Sequence, residues 1–208
     1  MLPPAGVSLR FAQNALYPST PPLTDTSLKS SLRANTYFLN ILNAYEIFQN
    51  IKPSIITDLF QWMRDDERDL YKSTVATLAQ DRKLRTVFIQ KKPVPAQIAW
   101  MHQTLKLKSS DMIGEHIFQV YFMQGQQALL VKFCDAMGIE HDGKGSVDGE
   151  LPADLDADKL KAAVDALIED NDAQLVSLYL RVFNLQRDNG WASITAILEA
   201  DERLKLAA

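Results

Sequence analysis

The chain predicts an all-α fold, an irregular multi-helix bundle of about eight helices around a buried central helix spanning residues 111–137. Three observations carry that expectation. From Thr26 onward the apolar residues recur at spacings of three and four, the rhythm of one helical face. The breaks in this rhythm fall at Pro53, Pro93, Pro95, Gly138 and Gly190, residues that start or stop helices. No segment shows the strict two-residue alternation of a half-buried strand. Hydrophobic residues make up 47% of 208 positions, enough for a core of ordinary size.

Residues 1–26 stand apart. Pro3, Pro4, Pro18, Pro21 and Pro22 each remove a backbone donor and fix φ, which predicts a Pro-rich extended or disordered arm. Residues 27–208 are then expected to form a single all-α domain. Its first helix runs over residues 27–51, capped by Asp25 or Thr26 and halted by Pro53. A second starts at Pro53 or Ser54 and carries Ile55, Ile56, Leu59, Phe60, Trp62 and Met63; a third runs through Leu70, Tyr71, Val75 and Leu78. Residues 81–92 read as a short basic helix or turn in which Val87, Phe88 and Ile89 face the core. The next helix opens at Pro95, where a missing N–H costs nothing, and takes in Ile98, Trp100, Met101 and Leu105.

The central helix is capped by Ser109 or Ser110 and closed by Gly138, the residue best suited to a left-handed position after a helix. Ile113, Ile117, Val120 and Val131 line one of its faces, and Phe118, Phe122, Leu129 and Phe133 another; a helix apolar on two faces is buried among others. Gly114 and Gly125, eleven residues apart, fall on one line of that helix. Their cost in helix stability points to close approach by a neighbour. Residues 138–155 form an acidic loop rich in glycine. Helices over about 156–169, 172–186 and 191–200 follow, so residues 156–208 are also a candidate C-terminal subdomain. The large aromatics, including Trp62, Trp100, Tyr121, Tyr179 and Phe183, are expected in the core, with Trp191, just after Asn189-Gly190, the one left partly exposed.

Charge is divided unevenly. Residues 1–110 carry a balance of +6 and residues 111–208 one of −10. Residues 82–108 hold seven basic side chains and no acid, whereas residues 135–172 hold twelve acids and three lysines. Two surfaces of opposite sign speak about association rather than fold. Arg82, Lys83, Arg85, Lys91, Lys92, Lys106 and Lys108 are therefore the candidate anion- or partner-binding residues.

The sequence offers few groups that could do chemistry. His102, Glu115, His116 and Gln119 could gather into a small polar cluster, since His116 and Gln119 share a helix face. However, no second histidine lies four residues from His116 to complete a metal pair. The acidic loop fails as an EF-hand: counted from Asp142, Lys144, Val147 and Ala153 occupy the third, sixth and twelfth positions, where ligands or glycine are required. Cys134, beside Asp135 near a helix C-terminus, reads as a small buried hydrophobe rather than a nucleophile. No phosphate-binding glycine motif or nucleophile elbow is present. No catalytic residue, cofactor or metal is assigned.

The expected role is non-catalytic: protein–protein association, as self-association or as an adaptor, through the oppositely charged surfaces. Polyanion or nucleic-acid binding by residues 82–108 is one alternative. A ligand carrier or enzyme with a pocket beside the central helix, closed by Phe118, Tyr121 and Phe122, is another. A lone cysteine, no bilayer-length apolar run and no signal-peptide pattern predict a cytoplasmic protein with no membrane contact.

Overall fold

The computed structural model describes residues 42–147 and 149–206, all of them in the unit Phe38–Ala208. The expected arm over residues 1–26 and the first part of the helix expected over residues 27–51 lie outside the described residues. Regular structure among the described residues is helical, with ten α-helices and no strand.

The first described helix, α1 (Ala44–Asn50), is started by Asn43, whose backbone N–H donates to the Glu46 carboxylate at 2.8 Å. The Tyr45 N–H donates across the bundle to Asp111 Oδ1 at 3.0 Å. Pro53 begins α2 (Pro53–Asp65), which buries Ile55, Ile56, Leu59, Phe60 and Met63 along one stripe. Next come α3 (Arg68–Asp81), the five-residue α4 (Thr86–Gln90) and α5 (Val94–Leu105), whose N-cap is Pro93.

The segment 111–137 is buried as expected, but it is not one helix. α6 (Asp111–Val120) passes into a π-turn over Tyr121–Gly125; Gln126 leaves helical geometry, and α7 (Gln127–Met137) resumes the winding. A tertiary contact coincides with the break. A Cβ on Gly125 would stand 2.8 Å from the Trp62 ring, so α2 presses its indole directly onto the backbone where the helix widens. Gly114 meets Phe48 in the same way, with a Cβ placed 3.0 Å from the ring edge. The Gln126 amide then donates to the Tyr121 hydroxyl at 2.9 Å, holding the displaced turn. Phe118, Phe122, Leu129 and Phe133 are all buried, whereas Ile113, Val120 and Val131 on the other face are half-buried. Gly138 closes α7 at φ 70°, the left-handed conformation expected of it.

Asp156 caps α8 (Ala157–Asp170) through the Lys159 N–H, and Asp172 caps α9 (Ala173–Asn184) through the Gln174 N–H. α9 is the deepest element after residue 155: Val176 through Leu180, Val182 and Asn184 are all buried. α8 packs on α7, and α10 (Ala192–Ala200) closes over α8 and α9. A chain of ring contacts threads these layers. It runs from Trp62 to Tyr121, Phe122, Tyr179, Phe133, Phe183 and Trp191, with centroids 4.9–5.4 Å apart.

Expectations about three residues fail. Trp191 is buried rather than partly exposed: its indole N–H donates to the Pro152 carbonyl at 2.9 Å, its ring stacks on Phe183, and the Arg187 guanidinium covers it. Together with an Arg187 hydrogen bond to the Ala153 carbonyl, this fastens the end of the acidic loop to the α9–α10 turn. Val87 and Phe88 do not face the core; of the three central residues of α4, only Ile89 does.

Candidate interaction surface

The turn that joins α3 to α5 projects the basic residues. Arg82 is the C-cap of α3, and Lys83 follows at φ 54°, a left-handed conformation that side chains rarely adopt. The Leu84 N–H returns to the Ala79 carbonyl at 2.8 Å, and Arg85 caps α4. Ile89 anchors α4 to the bundle. Gln97 ties down its far end, donating to the Lys92 and Gln90 carbonyls at 2.8 and 3.2 Å while accepting from the Tyr71 hydroxyl. What this fixed turn leaves outside is unusual for a helix-loop: Phe88 is 60% exposed, Val87 45% and Leu84 44%, next to Arg82, Lys83, Arg85, Lys91 and Lys92, all exposed.

The seven expected cations do not form one patch. Lys106 and Lys108 lie beyond the far end of α5, whose twelve residues separate them from Lys92 by roughly 18 Å at 1.5 Å per residue. Lys108 has its own apolar neighbours there, the exposed Leu107 and Met112. None of the seven enters an ion pair with a carboxylate among the described residues. In particular, no described carboxylate of the acidic segment 135–172 forms an ion pair with them.

That acidic segment spends many of its carboxylates locally. Asp142 Oδ1 accepts the Lys144 and Ser146 N–H groups, which closes its loop and holds its carboxyl below the usual range. Asp135 pairs with His141, Asp170 with Lys132, and Asp165 with Lys161 and Arg203. Glu140, Glu150, Asp154, Asp158 and Glu169 are exposed and take part in no ion pair among the described residues. Among the described residues, charges of both signs thus stand without ion-pair partners on different elements.

The polar quartet does not assemble. His102 on α5 donates its Nε2–H to the Phe48 carbonyl at 2.9 Å, and burial, with a smaller effect from Lys106, lowers its pKa despite that bond. Glu115 accepts from the Gln119 amide at 3.2 Å, with its pKa raised by burial and then by Asp111. His116 is exposed and joins neither. No group of three or more metal-ligating side chains occurs among the described residues. Cys134 is buried, and burial and then Asp135 push its thiol up to about 11, far from a nucleophilic thiolate.

Phe118, Tyr121 and Phe122, the residues expected to close a pocket, are packed into the core; Phe118 stacks on Phe48 with centroids 4.4 Å apart. Cavities occur elsewhere. One of about 400 Å³ lies between α2 and α5, lined mainly by apolar atoms of Ile56, Val94, Pro95 and Ile98. Another of about 460 Å³ lies where α1, α9, α10 and residues 205–206 meet, and Arg181 lines it. Sequence reasoning passed over Arg181, although a single basic residue inside the apolar run 175–183 was a visible signal.

No helix among the described residues is long and apolar enough to cross a membrane. No protein-family model, curated protein or solved structure matches the chain.

Proposed function

We propose that the protein acts by non-catalytic protein–protein association, and that the α3–α5 turn is its contact surface for an acidic protein face. The observation that carries this reading is the coincidence on one short turn of three exposed apolar side chains and five cations that form no ion pair among the described residues. Charge alone would describe a solvated face, and apolar exposure alone would be a scattered surface residue. Together they supply the two separable ingredients of recognition: charges that steer the encounter, and apolar area that holds the complex.

A second copy of the chain is the occupant the sequence itself provides. Its exposed Glu140, Glu150, Asp154, Asp158 and Glu169 offer the complementary sign. Such a contact joins two different patches, so it is head-to-tail and either closes a ring or extends a filament. Burying a large apolar side chain completely is worth about 1.5–3 kcal/mol. Three that are only half-exposed in the free protein would hold a weak complex, in the micromolar-to-millimolar range. Phe88 is the sole exposed aromatic of segment 82–108 and Trp100 is half-buried, so a row of stacking platforms for nucleic-acid bases is missing from this surface.

Sedimentation velocity over a range of concentrations at ~50 mM and ~500 mM salt tests the reading, because exposed charge pairs are screened beyond roughly 14 Å at the lower salt and roughly 4 Å at the higher. Concentration-dependent assembly at low salt, lost at high salt and lost in Phe88→Ser, is the expected result. A single monomeric species under every condition would overturn it.

A further inference from the structure

The cavity beside α9 holds a group the fold does not use. Arg181 is half-buried, its Nε is sealed from water without a hydrogen-bond partner, and its guanidinium enters no ion pair among the described residues. The polar groups around it are committed. Asn184 accepts the Trp191 N–H through Oδ1 at 2.6 Å and donates to the Thr195 hydroxyl at 3.4 Å. Thr195 donates in turn to the Trp191 carbonyl at 3.2 Å. Gln174 donates to the Lys205 carbonyl at 2.7 Å, and Ser177 donates to that of Leu204; these bonds lay the last described residues against α9 as one wall. Leu42, Leu198 and Leu206 also line the cavity.

We infer that this cavity binds a small amphipathic monoanion, a carboxylate with a short aliphatic tail, with Arg181 gripping the head and Leu42, Leu198 and Leu206 covering the tail. A guanidinium presents a planar fork of donors that matches a carboxylate, and half-burial without an ion-pair partner among the described residues leaves the fork of Arg181 open to such a ligand. Burial lowers the pKa of Arg181, consistent with that missing solvation. The volume of about 460 Å³ exceeds what a bare inorganic anion fills, and it falls within the range of small-ligand sites. Glu199 stands at the rim and Lys205, paired with Glu202, stands near it. An acid at the mouth penalises a doubly charged phosphate more than a singly charged carboxylate.

Isothermal titration of the full chain with octanoate, 1-octanol and inorganic phosphate tests the inference. Saturable binding of octanoate is expected, with 1-octanol and phosphate each at least about tenfold weaker, the usual effect of losing one charged hydrogen-bonded contact. Arg181→Met should weaken octanoate by about ten- to a hundredfold, while the ligand-free variant melts no lower than the wild type because an uncompensated charge has gone. Should Arg181→Met fail to fold, Arg181→Lys, which keeps the charge and loses the fork, is expected to bind octanoate less tightly than wild type. Absence of saturable octanoate binding, or a folded Arg181 variant that binds as the wild type does, overturns the inference. Its outcome is independent of the α3–α5 surface, whose variants are expected to leave octanoate binding unchanged.

Discussion

Lys83 occupies a left-handed backbone position where glycine would be free of strain, and it places a cation at the edge of the exposed apolar turn. A non-glycine residue there costs on the order of 1 kcal/mol, partly offset because glycine loses more chain entropy on folding. Lys83→Gly is therefore expected to leave the melting temperature unchanged or raise it by a few degrees, and to weaken low-salt association; a marked fall in stability would contradict the strain argument. Gly125 shows the opposite case. A methyl there would meet the Trp62 ring at 2.8 Å, well inside contact, so Gly125→Ala should lower stability by about 1–3 kcal/mol in urea denaturation and shift the Trp62 emission. Cys134 is predicted to resist thiol reagents at neutral pH until the chain unfolds, given its burial and a pKa raised to about 11; rapid labelling of the native protein would refute that.

At the scale of elements, the sequence was most readable where local chemistry decides. Asp156 and Asp172 start α8 and α9 because a carboxylate at the N-cap satisfies an orphan N–H, and Asp156→Ala should cost about 0.5–2 kcal/mol by thermal denaturation. Pro53 and Gly138 likewise act within a turn of the positions they punctuate. What periodicity could not show is what another element imposes. Segment 111–137 reads as one uninterrupted helix because its apolar spacing survives the π-turn. At that turn the Trp62 ring from α2 lies against Gly125, a contact that periodicity does not record. Val87 and Phe88 read as core by their chemistry alone, whereas a five-residue helix can turn only one side inward, and Ile89 takes it. Trp191 followed a glycine break and so suggested exposure, but Pro152 and Arg187, distant in sequence, bury it. Arg181 stood out as a basic residue inside the apolar run 175–183, but only the assembled neighbours of α9 reveal that its Nε is sealed without a hydrogen-bond partner among the described residues.

For the whole molecule, the charge division visible in the sequence survives folding, though not as a single basic patch. Five cations gather on the α3–α5 turn, two more stand beyond α5, and Glu140, Glu150, Asp154, Asp158 and Glu169 take part in no ion pair among the described residues. Charges of both signs left open on one molecule favour contact between molecules, at ionic strengths where the Debye length of ~8 Å still spans an interface. The most direct test is a charge-swap experiment by sedimentation velocity at low salt. Lys91→Glu/Lys92→Glu in one sample and Asp158→Lys/Glu169→Lys in another should each abolish assembly, and mixing the two should restore a complex. If both variants assemble like the wild type, or if their mixture stays monomeric while the wild type assembles, the opposed surfaces are not what hold the molecules together.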